Sequence, residues 1–208
     1  VPSPSSAVRI GYVLSEKRIR KLSWLHDAED TEVEFINLCG PGAPAPDSVD
    51  ALLHKATDDI SMTEHPSEFP EDAVKEASDR VAMVLENGEL LIDSAKGARA
   101  LTSRTEMSQL LRRASGVHGG LRVRAPDNAT VASAEELRKL AAGRVGFPVV
   151  VKSDRACWSA CAHKMFLVRT AAGLASLADE LQYPVVVERF ECHGPTMIKV
   201  YAVGDALR

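Results

Sequence analysis

The first half of the chain alternates short apolar runs with segments of helical periodicity. Three runs combine β-branched, aromatic and alternating polar residues and predict strands, at 7–14 (AVRIGYVL), 33–38 (VEFINL) and 49–54 (VDALLH). Ser15 and Glu16 are typical of a helix start, and they open the basic segment SEKRIRKL. Residues 71–86 repeat apolar side chains on one helical face, and a fourth strand is predicted at 90–92. This alternation predicts a parallel sheet in a small Rossmann-like α/β domain.

The second half has a different pattern, in which strongly β-branched runs are separated by short helices. Helices are predicted at 102–115, 133–142 and 172–180, and strands at 149–152, 164–169, 184–188 and 197–203. Hairpin-like strand layers with helices on one side are typical of an α+β domain. We therefore predict an α/β protein with an N-terminal domain over residues 1–95 and a second domain over residues 96–208.

Composition narrows the class of partner. The 208 residues are 45% hydrophobic and 26% charged, which is typical of a globular protein with a core. A net charge of -4 argues against a general nucleic-acid binder, but it leaves room for a local basic cluster. No run approaches the ~20 apolar residues that span a bilayer, so no membrane partner is expected. The four unevenly spaced cysteines are expected to be reduced in the cytoplasm, and a monomer is favoured.

Two strands of the second domain end in charged residues. The segment FPVVVK ends at Lys152, and PVVVERF repeats three valines before Glu188 and Arg189. A lysine is costly to bury unless an anion meets it. If the two strands faced each other, they would form a cleft with a lysine inside and a backbone edge at its mouth, suited to a nucleotide. The alternative is two core strands whose charged ends reach solvent, and spacing alone does not decide between them.

Several segments, in order, resemble one family. FPVVVK, HKMFLV, PVVVERFECHG and IKVYAVGD resemble the ATP-grasp centre of the inositol 1,3,4-trisphosphate 5/6-kinases, also called inositol-tetrakisphosphate 1-kinases. IGYVLSEKRIRKL and LLHKATDD resemble that family's substrate-binding segments, and LIDSAKGARALTSR resembles its D-P-x-x-A-I-x-x-L-x-x-R stretch. The resemblance implies an incomplete ATP-grasp domain over residues 96–208, and transfer of the γ-phosphoryl group of MgATP to an inositol polyphosphate hydroxyl.

The same resemblance implies nucleotide-binding roles. Lys152 matches the ATP-grasp lysine that contacts the α- and β-phosphates. Glu188, Arg189 and Phe190 match the hinge whose backbone meets the adenine. Arg99 matches a basic nucleotide-binding residue near the start of the central domain. ATP is therefore the expected nucleotide.

Substrate-binding roles are implied for four further positions. Lys55 matches a basic residue that faces the inositol phosphate, and His193 matches the histidine at the end of the hinge. Arg18 stands where the family usually has a lysine, so the charge is kept but its geometry differs. Lys199 matches a lysine close to both nucleotide and inositol phosphate, and it is the candidate catalytic residue.

The chain departs from the family pattern in two places. The loop after Lys152 usually reads A-H-G-T or A-D-G-T, whereas Trp158 and Ser159 stand here about where the histidine and glycine would be. The family's Mg²⁺ ligands are expected beyond Arg208, so no metal ligand is assigned within the chain, and the chain by itself is expected to be inactive. A non-catalytic module that binds inositol phosphate or a nucleotide is the alternative function. Another ATP-grasp ligase is a weaker rival, because the basic N-terminal segments argue against a carboxylate substrate.

Some of the candidate chemistry has a simpler explanation. Cys157, Cys161, His163 and Cys192 have a spacing that zinc tolerates, but reduced loop cysteines are the favoured interpretation. Without the family resemblance, the cations around Arg18 would be interpreted as a solvated helix face. The pair Asp58-Asp59 is expected to form a solvated turn rather than a metal site.

Overall fold

The structure is a computed structural model. It describes residues 7–22, 32–143, 145–158, 162–192, 194–196, 199, 202–203 and 206–207. Within that part of the chain, no helix is both long and apolar enough to cross a bilayer.

The N-terminal half is built on a three-stranded parallel sheet, as predicted. Its strands are β1 (Val8–Val13), β2 (Val33–Asn37) and β3 (Ala51–His54), in the order β2-β1-β3. Gly11 lies in the central strand, where an added Cβ would stand 2.5 Å from the Leu38 side chain and 3.0 Å from Val49. Leu38 is 1% exposed, so the absence of a side chain at Gly11 lets the core close tightly over β1.

Four helices surround this sheet: α1 (Glu16–Lys21), α2 (Thr57–Glu64), α3 (Glu71–Glu86) and α4 (Ala95–Ala100). The bounds of α3 coincide with the predicted helix. Ala98 of α4 packs into the core that contains Val13 and Leu52, although the sequence assigns residues 96–208 to the second domain. The predicted strand at 90–92 is wrong, because a 3-10 turn (Gly88–Leu90) leaves only a single bridge between Leu91 and Leu52.

Helix α2 is absent from the sequence prediction, which placed a solvated turn at Asp58-Asp59. That expectation is wrong. Asp59 is only 4% exposed, and its Oδ1 accepts hydrogen bonds from the Arg80 guanidinium of α3 at 2.8 and 3.2 Å. Burial raises the pKa of the Asp59 carboxyl, and the Arg80 contact opposes that rise. The acidic start of α2 is therefore part of the packing between α2 and α3.

The second half begins with α5 (Arg104–Ala114) and a hairpin of β4 (Gly116–His118) and β5 (Leu121–Val123). A four-stranded antiparallel sheet follows, composed of β6 (Asn128–Val131), β7 (Val149–Ser153), β8 (Met165–Val168) and β9 (Val185–Arg189), in the order β6-β9-β7-β8. Helices α6 (Ala134–Ala142) and α7 (Ala171–Ser176) contribute Leu137 and Leu174 to its core. Of the last predicted strand, at 197–203, the structure describes residues 199 and 202–203, and Ala202–Val203 form β10, which pairs with β11 (Ala206–Leu207). The rest of that prediction lies outside the described residues.

The two strands with charged ends do not face each other across a cleft. Strands β7 and β9 are direct neighbours, with Val150 opposite Glu188 and Lys152 opposite Val186. Val149 and Val151 belong to the helix-covered core, and successive side chains of a strand point to opposite faces. Val150 and Lys152 therefore lie on the face of the sheet that is turned away from that core.

Candidate functional site: a strand lysine and a basic pocket

The charged side chains of the two neighbouring strands meet on this second face. Lys152 Nζ lies 2.8 Å from Glu188 Oε1, and the two side chains are 19% and 21% exposed. Met165 and Leu167 of β8 stand opposite Lys152 and Val150 in the register and are more than half exposed. A half-buried ammonium beside an exposed apolar surface is suited to a ligand that combines phosphate charge with a flat ring.

The hinge backbone is already engaged in part. The Arg189 N–H donates to the Asp127 carbonyl at 2.8 Å, and the Phe190 N–H donates to the Pro148 carbonyl at 3.0 Å. Strand β9 is also paired on both sides, with β6 and β7. These two donors are therefore not free for an adenine. Of the two interpretations that spacing left open, the cleft between facing strands with a backbone edge at its mouth is not observed, because β7 and β9 are paired. The hinge role of residues 188–190 itself stays a prediction, restricted to carbonyl oxygens and to the chain that follows.

A cavity lies between the two halves of the protein. It has a volume of about 840 Å³. We call it the basic pocket and define it by its lining residues, which are Lys17, Arg18, Lys21, Lys55, Thr57, Asp58, Phe69, Leu101, Ala156, Cys157, Trp158 and His163. Four cationic side chains thus face one carboxylate, which makes the pocket suited to an anion with several negative charges.

The parallel sheet explains why these cations converge. Lys17, Arg18 and Lys21 lie on α1, which follows the carboxyl end of β1, and Lys55 directly follows the carboxyl end of β3. Carboxyl ends of parallel strands meet at one edge of a sheet, where α/β proteins commonly bind ligands. The substrate-binding residues predicted from sequence, Arg18 and Lys55, are therefore brought together.

The four cations differ in how strongly they are engaged. Arg18 lies 2.5 Å from Asp58, with side chains 31% and 16% exposed. Among the residues that the structure describes, Lys17, Lys21 and Lys55 form no ion pair. Lys17 Nζ lies instead 4.6 Å from the centroid of the Trp158 ring. Three lysines are thus available to an anionic ligand, whereas Arg18 is oriented by its carboxylate.

The loop after β7 closes one side of the basic pocket and is tied to the N-terminal half. Arg155 forms two contacts with the Glu68 carboxylate, at 2.6 and 2.9 Å. The Cys157 thiol donates to the Thr57 carbonyl at 3.3 Å, and burial raises the pKa of this thiol, which keeps it a donor. This loop therefore contacts α2 and the segment before α3.

Arg104 secures the same loop from the second half, and the sequence prediction missed it. Its guanidinium donates to the carbonyls of Ser153 and Arg155 at 2.8 and 2.7 Å, and to that of Ala162 at 2.7 Å. The partners lie at both ends of the loop. A sequence signal was present, because the final arginine of the D-P-x-x-A-I-x-x-L-x-x-R stretch falls on Arg104 when the motif starts at Asp93.

Arg99 occupies a different environment. It forms an ion pair with Glu64 of α2 at 2.9 Å, and its side chain is 69% exposed. It lines a cavity of about 160 Å³ that includes Ile60 and Val84 and no residue of β7 or β9. The structure therefore does not bring Arg99 together with Lys152, and a direct nucleotide contact by Arg99 stays a prediction.

The remaining predicted residues lie at the end of the chain. Lys199 is exposed, and His193 lies outside the described residues. In the described part of the chain, no group of three His, Cys, Asp or Glu side chains could hold a metal ion. Of the residues in the zinc hypothesis, Cys157 and Cys192 are free thiols, whereas Cys161 lies outside the described residues.

The amino-acid sequence matches known proteins along most of its length. Residues 105–208 match the model of the inositol 1,3,4-trisphosphate 5/6-kinase ATP-grasp domain. The chain is 29% identical to inositol-tetrakisphosphate 1-kinase 6 of Oryza sativa subsp. indica over 98% of its own length and 40% of that protein. It is 27% identical to inositol-tetrakisphosphate 1-kinase of Xenopus laevis, over 95% of its own length and 50% of that protein. The chain thus spans half or less of the length of these relatives.

Solved structures with a similar fold are ATP-grasp proteins. A RimK domain protein ATP-grasp from Sphaerobacter thermophilus aligns with a TM-score of 0.51 at 19% identity, over 89% of this chain and 65% of that one. Carboxyaminoimidazole ribonucleotide synthase from Aspergillus clavatus, complexed with ATP, aligns with a TM-score of 0.51 at 12% identity, over 89% of this chain and 48% of that one. The predicted fold class, with an incomplete ATP-grasp fold, is confirmed.

Proposed function

Because this chain belongs to the inositol 1,3,4-trisphosphate 5/6-kinase family, we propose that it provides the ATP-binding and inositol polyphosphate-binding surfaces of a cytoplasmic kinase. The reaction is transfer of the γ-phosphoryl group of ATP to a hydroxyl of an inositol tris- or tetrakisphosphate. The observation that carries the substrate assignment is the basic pocket, where four cationic side chains from two elements converge on one cavity. Each inositol phosphate group is close to a dianion, and clustered Lys and Arg replace its water of hydration.

The nucleotide is proposed to lie on the face of the second sheet that is turned away from its helices. Lys152 would contact its α- and β-phosphates, because this ammonium is paired with Glu188 on that face and its side chain is still 19% exposed. Exposed Met165 and Leu167 offer the adenine an apolar surface on the same face. Arg104 would fix the loop near the phosphates without contacting them, through its carbonyl contacts at both loop ends. Lys199 is proposed as the cation near the transferring group.

Phosphoryl transfer depends mainly on positioning and on neutralising charge. Mg²⁺, when bound, supplies part of that neutralisation. The described residues include no cluster of three carboxylate or other ligand side chains that fits it, so we derive no step through the metal. The chain spans half or less of the length of its relatives, so ligand binding is proposed for this chain and phosphoryl transfer for the whole protein.

The proposal is tested by a pair of substitutions on opposite sides of the site. Lys152→Met is expected to lower ATP affinity at least ~10-fold and to leave inositol 1,3,4-trisphosphate affinity nearly unchanged. Lys55→Met is expected to lower inositol 1,3,4-trisphosphate affinity and to leave ATP affinity nearly unchanged. Calorimetric titration of the chain measures both affinities. The full-length gene product is then assayed for phosphoryl transfer from ATP. If the chain failed to bind ATP, or failed to bind inositol 1,3,4-trisphosphate, the proposal would be ruled out.

A non-catalytic binding module is the second candidate. The observation that favours it is Trp158, which stands in the loop after β7 about where the family pattern has a histidine, and which has a left-handed backbone with φ of 45°. Binding of inositol polyphosphate by the full-length protein, without any phosphoryl transfer, would support this alternative over the kinase.

A further inference from the structure

Trp158 lies at the wall of the basic pocket in an unusual backbone conformation. A φ of 45° is rarely adopted by a bulky residue and is kept only when surrounding contacts fix the chain. Such contacts are present on its N-terminal side, where Arg155 binds Glu68 and the Ala156 N–H donates to the Thr102 carbonyl at 2.8 Å. The backbone that carries the indole is therefore anchored on its N-terminal side.

The indole has one aromatic and one cationic neighbour. Its ring centroid is 6.4 Å from that of Phe69, with the planes tilted by 48°. Lys17 Nζ lies 4.6 Å from the ring centroid, although this lysine is exposed and could extend into solvent. The basic pocket thus has an apolar aromatic wall, and one of its cations rests on that wall.

We infer that Trp158 is a specificity residue of the basic pocket, whose indole packs against the C–H face of a cyclitol ring. Inositol carries C–H groups on its ring faces and places its phosphates around the edge, so an aromatic wall and surrounding lysines fit it together. A linear polyphosphate of similar charge presents only oxygen atoms, so the aromatic wall adds nothing to its binding affinity. The pocket therefore distinguishes a phosphorylated ring from phosphate charge alone.

Lys17 would exchange partners when such a ligand binds. An exposed cation–π contact is weaker than a charge-assisted hydrogen bond to phosphate. A phosphate at the ring edge would draw the ammonium of Lys17 away from the indole, and the cyclitol C–H face would take its place. This inference rests on the proposed function, since it assumes that an inositol polyphosphate binds in the basic pocket.

The test compares two ligands on three versions of the chain. Inositol 1,3,4-trisphosphate and tripolyphosphate are titrated into the unmodified chain, Trp158→Phe and Trp158→Ala. Loss of the aromatic wall in Trp158→Ala is expected to lower the affinity for inositol 1,3,4-trisphosphate about 5- to 10-fold and that for tripolyphosphate less than about 2-fold. Trp158→Phe is expected to keep most of the preference of the unmodified chain for the inositol ligand. An equal loss for both ligands, or no loss for either, would overturn the inference.

Fluorescence gives a second measurement that does not depend on the folding of Trp158→Ala. The chain has two tryptophans, so Trp24→Phe leaves Trp158 as the only reporter. Both ligands are expected to draw Lys17 away from the indole, but only the inositol ring then covers it, so inositol 1,3,4-trisphosphate is expected to shift the emission maximum to shorter wavelength and tripolyphosphate is not. Identical responses to the two ligands contradict the inference. If the unmodified chain binds no inositol phosphate in calorimetry, the proposed function fails as well, whereas binding that is insensitive to Trp158 overturns this inference alone.

Discussion

Arg155 and Glu68 form a two-contact ion pair, at 2.6 and 2.9 Å, that joins the loop after β7 to the segment before α3. The side chains are 20% and 49% exposed. Hydrogen bonding to Arg155 lowers the pKa of the Glu68 carboxyl below its ordinary value of 4.5. The stability that this carboxylate contributes is therefore present above pH 4.5 and is lost as the pH falls through the lowered pKa.

Glu68→Gln is expected to reduce the free energy of unfolding at pH 7 by less than about 1 kcal/mol, because the pair is partly solvated. The difference from the unmodified chain should shrink toward zero as the pH falls below the ordinary carboxyl pKa. Urea unfolding at a series of pH values measures it. Glu86→Gln, at an exposed carboxylate without an ion pair among the described residues, is the control and should show no such trend. If the difference in unfolding free energy between Glu68→Gln and the unmodified chain grew in acid, a stabilising Glu68–Arg155 ion pair would be contradicted.

Glu188→Gln leaves the Lys152 ammonium half-buried without its counter-charge. We expect the free energy of unfolding to fall by about 1–2 kcal/mol, less than for a fully buried pair, since both side chains are about one-fifth exposed. A triphosphate would supply the missing negative charge. ATP should therefore raise the melting temperature of Glu188→Gln by more than it raises that of the unmodified chain. An equal or smaller shift in thermal denaturation would show that ATP does not contact Lys152.

Arg104→Gln removes a guanidinium fork that donates to three loop carbonyls. Unpaired carbonyls and a released loop should cost about 2 kcal/mol of unfolding free energy and should weaken ATP binding as well. Arg99→Gln changes an arginine that is 69% exposed, so its stability effect should stay within about 0.5 kcal/mol.

The two arginine variants together separate direct contact from positioning. If Arg99 contacts the nucleotide, as the sequence predicts, Arg99→Gln will lower ATP affinity without a loss of stability. Parallel measurement of ATP affinity and urea unfolding decides this. Unchanged ATP affinity in Arg99→Gln, with a loss in Arg104→Gln, would assign the family's motif arginine to Arg104.

Gly11→Ala places a methyl group 2.5 Å from the Leu38 side chain, in the middle of the parallel sheet. Because Leu38 is 1% exposed and has little room to move, we expect a loss of about 1–3 kcal/mol in unfolding free energy. Gly88→Ala is a matched control, since its added Cβ meets nothing within 4 Å. Equal unfolding curves for the two variants would show that the core over β1 is not tightly packed.

The local sequence pattern was sufficient to predict helices and strands whose apolar residues recur with a clear period and whose ends carry clear stop signals. Helix α3 (Glu71–Glu86) was predicted at its observed bounds, because apolar residues recur on one face and Asn87-Gly88 follows. Helix α2 was missed, since its acidic start resembles a turn. Only the structure shows that Asp59 is buried against Arg80, 21 positions away in the chain.

By itself, the sequence determined the family and most of the order of its helices and strands, although it missed α2 and placed a strand at 90–92. It also determined that Lys55 and Arg18 lie near the carboxyl ends of parallel strands. Short-range periodicity and ordered motifs carry that information. The tertiary structure decided which charged groups meet. It placed Lys152 beside Glu188 in adjacent strands rather than across a cleft, and Lys17 of α1 over the ring of Trp158. Such pairings depend on strand order and on loop contacts between distant segments, and no local pattern encodes them.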